Sequence, residues 1–416
     1  MDPGSRKNWA GNVAFRAADL SRPATVGQLQ ALVAKTDRVR ALGTGHSFSD
    51  IADTPGTQVS VTGLPPEVEI DSAASVARVA AGLTYADLSV RLDEKGFALR
   101  NLASLPHISV AGTCATATHG SGLANASLAA AVTGMDMVTA DGDLIKVGRE
   151  LDASSVHLGA LGVVTSLTLE VVPSFEVSQR VYEDLPLQVL DDHFADIMAG
   201  GYSVSLFTDW RAPRLTQIWV KQRTGDATTI TAAPWFTARP AQAARNPVPG
   251  ASPDACTQQL GVPGPWYDRL PHFRPDFRPS AGAELQTEYL LPIATAVPAL
   301  HAVNEIRDRI APVLQICEIR VVAADRLWLS PCYLRDSVAI HFTWVLDPAS
   351  VTPVVTLIEQ QLAPFGPRPH WAKVFTMSRE ALRKNYQRMP DFLGLIDQHD
   401  PAGKFRNAFT DRCLGR

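Results

Sequence analysis

The sequence predicts an α+β chain of two domains, on three observations. At 416 residues and 46% hydrophobic content the chain is long enough for roughly two buried cores. In its first part, short strands and amphipathic helices follow one another without regular βαβ repetition. After Pro173 the texture changes, and alternating strands separated by long helices suit an antiparallel sheet covered on one side. The boundary is expected near Val172–Gln179.

The elements follow in chain order. Thr25 is placed to cap a helix whose Val26, Leu29, Leu32 and Val33 form one apolar face, before a strand at Val39–Leu42. Alternation predicts strands near Gln58–Thr62 and Val76–Ala81, then a helix from Tyr85 to Glu94 with Leu88 and Leu92 on one face. Asp141-Gly142-Asp143 is a hairpin signal, and Gly162–Val172 is a long β-branched run. Beyond Pro173 come charged loops and a Pro/Ala/Arg-rich excursion from Ala232 to Pro253 without a core pattern. Strands are expected at Tyr202–Thr208, Gln217–Lys221, Leu285–Leu291, Cys317–Val322 and Ala339–Trp344, and an aromatic-rich one at His370–Phe375. Helices are expected at Ala294–Ile310 and Pro353–Leu362. The turn Asp400–Phe405 is expected to return the chain to the first domain, and no internal repeat is visible.

Composition excludes several function classes. Lys+Arg 38 against Asp+Glu 42 gives a formal net charge of -4, so no basic field exists to hold nucleic acid. No run of roughly eighteen apolar residues reads as a membrane span. The amino-terminal stretch Met1–Trp9 lacks the apolar core of an export signal, which predicts a cytoplasmic protein. Five cysteines, odd and scattered, argue against a disulfide framework or a zinc site, and ten histidines show no ligand spacing. No metal is expected, so a redox role would rest on an organic cofactor.

The most informative stretch is Arg40-Ala41-Leu42-Gly43-Thr44-Gly45-His46-Ser47-Phe48-Ser49, a nucleophilic imidazole inside a glycine-rich turn after a short strand. Glycines let backbone N–H groups approach a pyrophosphate without Cβ interference. A dinucleotide fingerprint would need a third glycine where Phe48 stands, and the strand and Pro55 that follow do not provide its crossover helix. A serine-hydrolase elbow built on Ser47 lacks its last glycine and its long helix. A tight turn exposing a histidine is the bland alternative. A second segment, Ser104–Gly122, is poor in large side chains after Ile108 and carries no Asp, Glu, Lys or Arg, as a wall around a flat polar ligand requires. Its His107 and His119 read from the residues alone as supporting groups.

Strand alternation supplies a sharper clue. Glu318 and Arg320 share one face of Cys317–Val322, with Ile319 and Val321 on the other; His341 and Thr343 oppose Phe342 and Trp344 in the same way. Facing inward, the two pairs make a polar floor suited to a polyhydroxylated ligand; facing outward, they are the solvated side of a half-exposed sheet. Lys373 adds a cation in an apolar, aromatic-rich segment.

Taken together, Gly43–Phe48, Ala103–Gly112, Ser205–Arg211, Glu318–Arg320, His341–Trp344 and His370–Phe375 resemble, in order and across essentially the whole chain, the vanillyl-alcohol oxidase family of covalent flavoproteins and within it the actinobacterial alditol oxidases. The resemblance implies an FAD-binding domain (1–175, joined by a tail of about 376–416), an antiparallel-sheet substrate cap (176–375), and FAD bonded covalently to His46. It implies cofactor contacts from Ala41, Leu42, Gly43, Thr44, Gly45, Ser47, Ser104, Ser109, Gly112, Thr116, Ala117, Thr118, His119, Val164 and His370. Ser104, Glu318, Arg320, His341, Thr343 and Lys373 would surround the substrate, with Arg320 and Lys373 catalytic. Two small departures are Thr44, where serine is also expected, and Ala372, where glycine is expected. The implied reaction is oxidation of a terminal alcohol of xylitol, sorbitol or a similar polyol by O₂, releasing H₂O₂, in a monomer. A flavin dehydrogenase of sugar lactones or polyols that uses another acceptor is the alternative.

Overall fold

Glycine and short β-branched runs at the start of the chain build a small parallel sheet whose exit is the glycine-rich turn. The computed structural model describes residues 6–148, 150–226, 233–276 and 283–415, so Met1–Ser5 and Ala232 of the segments discussed above lie outside the described residues. Strands β1 (Asp19–Ser21), β2 (Val39–Ala41) and β3 (Thr57–Val59) pair in the order β1-β3-β2. Helix α1 (Val26–Lys35) begins where Thr25 accepts a hydrogen bond from the Gln28 amide, and it buries Leu29 and Val33 against Val39, Val59 and Phe405. That contact satisfies the apolar period and, through Phe405, brings the end of the chain to its beginning.

An antiparallel sheet follows. Its strands β4 (Val68–Asp71), β5 (Val76–Ala80), β6 (Val132–Val138), β7 (Leu144–Val147) and β8 (Val163–Glu170) lie in the order β4-β5-β8-β6-β7. The hairpin between β6 and β7 turns at Gly142, whose φ of 89° favours glycine. Helices α2 (Tyr85–Asp93) and α3 (Val110–Ala115) lie in the connection from β5 to β6.

The largest sheet belongs to the second half. Strands β9 (Glu176–Pro186), β10 (Ser203–Thr208), β11 (Arg214–Arg223), β12 (Glu284–Pro292), β13 (Leu314–Val322) and β14 (Ser337–Val345) pair antiparallel in the order β9-β11-β10-β13-β14-β12. Helices α4 (Leu190–Ala199), α5 (Ala296–Glu305) and α6 (Pro348–Leu362) cover one face. Ile319, Val321, Phe342 and Trp344 pack there with Leu300, Val355 and Ile358, so the apolar half of each alternating strand has its partner. Helices α7 (Arg379–Asn385), α8 (Met389–His399) and α9 (Ala408–Leu414) bury Leu382, Phe392 and Phe409 in the core formed by Leu88, Leu92 and Val110 of the first half. The Val39 amide donates to the Lys404 carbonyl at 3.0 Å, which is the expected return after Asp400.

Three sequence expectations need correction. The charged stretch after Pro173 contains β9, where Val177, Gln179 and Val181 are buried and Glu176, Ser178 and Arg180 alternate with them, exposed or half-buried; its charges hide the period. Helix α6 starts at Pro348, because the Asp347 carboxylate accepts from the Ala349 and Ser350 amides and proline fits a first turn. His370–Phe375 is not a strand. Only Arg368–Pro369 pairs, with Tyr289 and Leu290 of β12; the chain then turns, the Lys373 amide donating to the His370 carbonyl at 3.0 Å.

Arg40 joins these parts. Its buried guanidinium donates to the carbonyls of Ile51, Leu158, Gly159 and Phe405, at 2.5–2.8 Å. Burial lowers its pKa to about 10, which leaves it charged at neutral pH. Arg40→Met would leave these carbonyls unpaired, so it should cost about 3–5 kcal/mol of stability. Urea unfolding measures this, and a loss below about 1 kcal/mol would contradict the clamp.

Candidate active site

The glycine-rich turn leaves β2 and curls against the start of α3. A Cβ on Gly43 would collide with Ser109 Oγ, one on Gly112 would come within 2.8 Å of the same atom, and Gly45 has a φ of 72°. The geometry therefore demands glycine where the backbone faces an open cavity of about 550 Å³. His46 stands on that cavity's wall. Its Nδ1 is 3.0 Å from Thr44 Oγ1, and its ring stacks between Trp9 and His107, with centroids 5.2 and 6.4 Å away. Asn8 and Asn12 donate to the carbonyls of Ser47 and Phe48 and fix the turn's outer edge.

Ala41, Leu42, Thr44, Ser47, Ser104, Ser109, Thr116, Thr118, His119, Val164 and His370 line the same cavity with Gly43, Gly45, His46 and Gly112. Ala117 does not; it is buried in the core, with a left-handed φ of 55°. The opposite wall is the large sheet's uncovered face. Both polar pairs point inward, as alternation allows, and Glu318, Arg320, His341, Thr343 and Lys373 all reach the cavity.

Glu288, which sequence reasoning missed, is the centre of that wall. Strand register places it opposite His341, and His341 opposite Glu318, so one row crosses three strands. Lys373 Nζ donates to Glu288 Oε2 at 2.6 Å and to His341 Nδ1 at 2.6 Å; Arg320 Nη2 donates to Glu288 Oε1 at 2.9 Å. Arg320 Nη1 reaches Ser104 Oγ at 3.3 Å, joining the sheet to the segment Ser104–Gly122. With Nδ1 of His341 accepting, its Nε2–H is left to donate to Thr343 Oγ1, 3.0 Å away.

Glu318 is held by His272 Nε2 at 2.7 Å. His272 rides on a loop that buried Lys221 anchors by donating to the carbonyls of Arg269, Leu270 and Pro271 at 2.6–2.9 Å. The missed signal for Glu288 was present: Glu284, Gln286 and Glu288 alternate with Leu285, Thr287 and Tyr289, the same pattern that singled out β13 and β14. His272 had no local signal, since only the folded chain brings it to β13.

Electrostatics separate these groups. Burial pushes the Glu288 carboxyl up, but Lys373, His119 and Arg320 outweigh it and hold the group well below the usual range. Glu318 is likewise held low against burial, by Arg320 and His272. Arg320 stays firmly charged because Glu318 and Glu288 offset its burial. Burial lowers the Lys373 amine, Glu288 raises it and Arg320 lowers it, and the net shift is downward. Burial and Lys373 lower His341 to about 4, and burial and Lys221 lower His272 to about 4, so both are neutral at physiological pH.

The donor atoms of His119, Glu288 and His370 lie within 4.8 Å of one another. Glu288 already faces two cations, so this group is a charge-balanced network and a divalent ion there would meet repulsion. Among the described residues, Arg320 Nε and His119 Nε2 are buried without an aligned hydrogen-bond partner and face the cavity. With the glycine cradle and the uncharged small-residue wall, the residues fit a flat cofactor with polar edges such as FAD.

Comparison with known proteins agrees with that fit. A family model described as an FAD-binding domain matches residues 18–148, and one described as D-arabinono-1,4-lactone oxidase matches residues 283–413. A solvent-stable cholesterol oxidase structure superposes with a TM-score of 0.80, covering 99% of this chain and 97% of its own at 15% identity, which shows a shared fold. L-gulono-1,4-lactone dehydrogenase of Mycobacterium tuberculosis is 29% identical across 98% of both chains. An alditol oxidase of a Streptomyces species is 52% identical, again across 98% of both. On that likeness and the FAD-domain match, the chain belongs to the alditol oxidase family of FAD-dependent oxidoreductases, within the vanillyl-alcohol oxidase type.

Proposed function

We propose that the protein oxidises the terminal CH₂OH of an alditol such as xylitol or sorbitol to the aldehyde, with O₂ reduced to H₂O₂. The observation that carries this reading is the row Glu288–His341–Glu318 with Arg320 and Lys373, a hydroxyl-binding floor facing the glycine cradle across one cavity. Residues 1–175 with the tail 376–416 form the cofactor domain, and 176–375 the cap. FAD sits along Ala41–Ser47, Ser109, Gly112, Thr116, Thr118 and His119, covalently bonded to His46, whose ring is held by Thr44 and Trp9 on the cavity wall. Among the described residues no helix is long and apolar enough to cross a membrane; the reading includes a cytoplasmic monomer.

The wall's residues divide the work. FAD, when bound, supplies the acceptor for the hydride from carbon and passes the two electrons to O₂. In its deprotonated form Lys373 accepts the hydroxyl proton, two N–H groups held by Glu288 and His341. Arg320 stabilises the developing alkoxide in a site where charge is weakly screened. Ser104 and Glu318 bind inner hydroxyls, and Thr343, fixed by neutral His341, shapes the rest.

Relatives acting on sugar lactones support a second reading, a lactone or polyol dehydrogenase with another electron acceptor. Oxygen uptake with xylitol against L-gulonolactone, with and without an artificial acceptor, separates the two. Ala103 lines the cavity and is the first position to vary if oxygen uptake is poor.

The purified protein should be yellow and keep its colour through acid precipitation, whereas His46→Ala should release any flavin it binds; free FAD from the unmutated protein would refute the covalent bond. Alcohols lacking neighbouring hydroxyls should be poor substrates, because each unpaired polar group in the floor costs about 1–3 kcal/mol. Equal kcat/KM for butanol and xylitol would remove the polar-floor argument. Lys373→Met should slow anaerobic flavin reduction about 100-fold or more and leave reoxidation by O₂ much less affected. Stopped-flow traces of the two half-reactions decide this, and impaired reoxidation with normal reduction would reassign Lys373.

A further inference from the structure

We propose that Glu288 is a positioning residue for the oxidation, orienting Lys373 and balancing the charge that Lys373 gains when it accepts the alcohol proton. The inference rests on the alditol-oxidising role given to Lys373 above. Glu288 is 1% exposed, and its two oxygens are divided between two cations, Oε2 to Lys373 at 2.6 Å and Oε1 to Arg320 at 2.9 Å. A carboxylate needed only to keep Arg320 folded would not require the second contact. Glu318 already lies beside Arg320, at 3.6 Å from Nε.

The surroundings leave this task to Glu288 alone. Lys373 is faced by Glu288 from β12, His341 from β14, Arg320 and Glu318 from β13, His370 from its own turn and His119 from the glycine-rich segment. Among these, His341 and His370 are held neutral and Arg320 repels a second cation. Glu318 is engaged with His272 and Arg320. Before transfer, the Lys373 amine directs one N–H at Glu288 and another at His341, which leaves its lone pair for the substrate hydroxyl. After transfer, the O–H bond is broken, an N–H bond is formed, and the new ammonium lies against the carboxylate. Glu288 thus contributes most in the transition state, where rate is decided.

The test compares the unmutated protein with Glu288→Gln and Glu288→Asp as flavin-loaded full-length chains. Anaerobic flavin reduction by xylitol is followed from about pH 5 to 10, together with a substrate-free pH titration of the oxidised flavin's absorption. In the unmutated protein the rate should fall as pH drops through the Lys373 titration, because the protonated amine cannot accept a proton. Glu288→Gln removes the group that favours the ammonium, so the acid limb and the spectral midpoint should move down by about one pH unit or more, and the plateau rate should fall about 30-fold. Glu288→Asp keeps the charge and should restore most of the limb's position.

An unmoved limb and midpoint with a lower rate would overturn the proposal and leave Glu288 a structural counter-ion. If Glu288→Gln does not fold, Lys373→Met is compared with the double variant Lys373→Met/Glu288→Gln, in which one charge of each sign is gone. A further loss below about threefold supports action through Lys373, and a further tenfold loss overturns it. Failure of every alditol to reduce the unmutated protein would count against the assigned reaction, and the spectral titration would still decide Glu288.

Discussion

A carboxylate buried as deeply as Glu288 stays charged only if cations meet both its oxygens, and this requirement organises the structure around it. Arg320 comes from β13, Lys373 from the turn after Arg368–Pro369, and Glu288 from β12. All three must be held within hydrogen-bond reach at once. The long antiparallel register secures the first and third. The turn is secured by Trp371, whose buried indole donates to the Leu329 carbonyl at 2.7 Å, and by the Phe48 amide, which donates to the Ala372 carbonyl at 2.7 Å. The second of these hydrogen bonds ends in the glycine-rich turn. The charge cluster and the cradle opposite are therefore tied by a few covalent and hydrogen-bonded links.

The sheet can carry this cluster because its other face carries the stability. Ile319, Ile340, Phe342, Trp344 and Tyr289 are buried under α4–α6, with Phe342 and Trp344 stacked at 5.1 Å. Each cavity-facing residue is thus held by apolar neighbours one position away along its strand. Charge is balanced locally as well. Glu288 and Glu318 face Arg320 and Lys373, while the imidazoles of His272, His341 and His370 are lowered by burial and stay uncharged. A wall with little net charge can bind a neutral polyol without attracting ions that would compete for it.

Much of this was legible in the sequence wherever the information was local. The apolar face of α1 and its Thr25 cap, the Asp141–Asp143 hairpin and the shared face of each polar pair on β13 and β14 follow from periods of 3.6 and 2 and from turn chemistry, whereas the direction of that face does not. Charge counting concealed β9, because Glu176, Arg180, Glu183 and Asp184 drew attention from the buried positions between them. Glu288 obeyed the same alternation as Glu318 and was overlooked because β12 was read only for its apolar residues. His272 and Lys221 were beyond sequence reasoning. Their partners are carbonyls and a carboxylate distant in sequence, with no residue-type pattern that spacing could betray.

The two walls of the cavity differ in a way that constrains the chemistry between them. The glycine-rich wall offers backbone, small side chains and an imidazole, and so suits a flat ligand approached closely and kept for many turnovers. The sheet wall offers fixed donors and acceptors in a row two strand spacings wide, roughly 10 Å, the reach of a short extended chain of hydroxylated carbons. Among the described residues its cations, Arg320 and Lys373, meet at Glu288, Arg320 reaching across the row from the strand of Glu318 and Lys373 coming from the turn that contacts Phe48. Under the function proposed above, a hydroxylated chain lies along this row with the carbon to be oxidised at that meeting point of cations, facing the opposite wall.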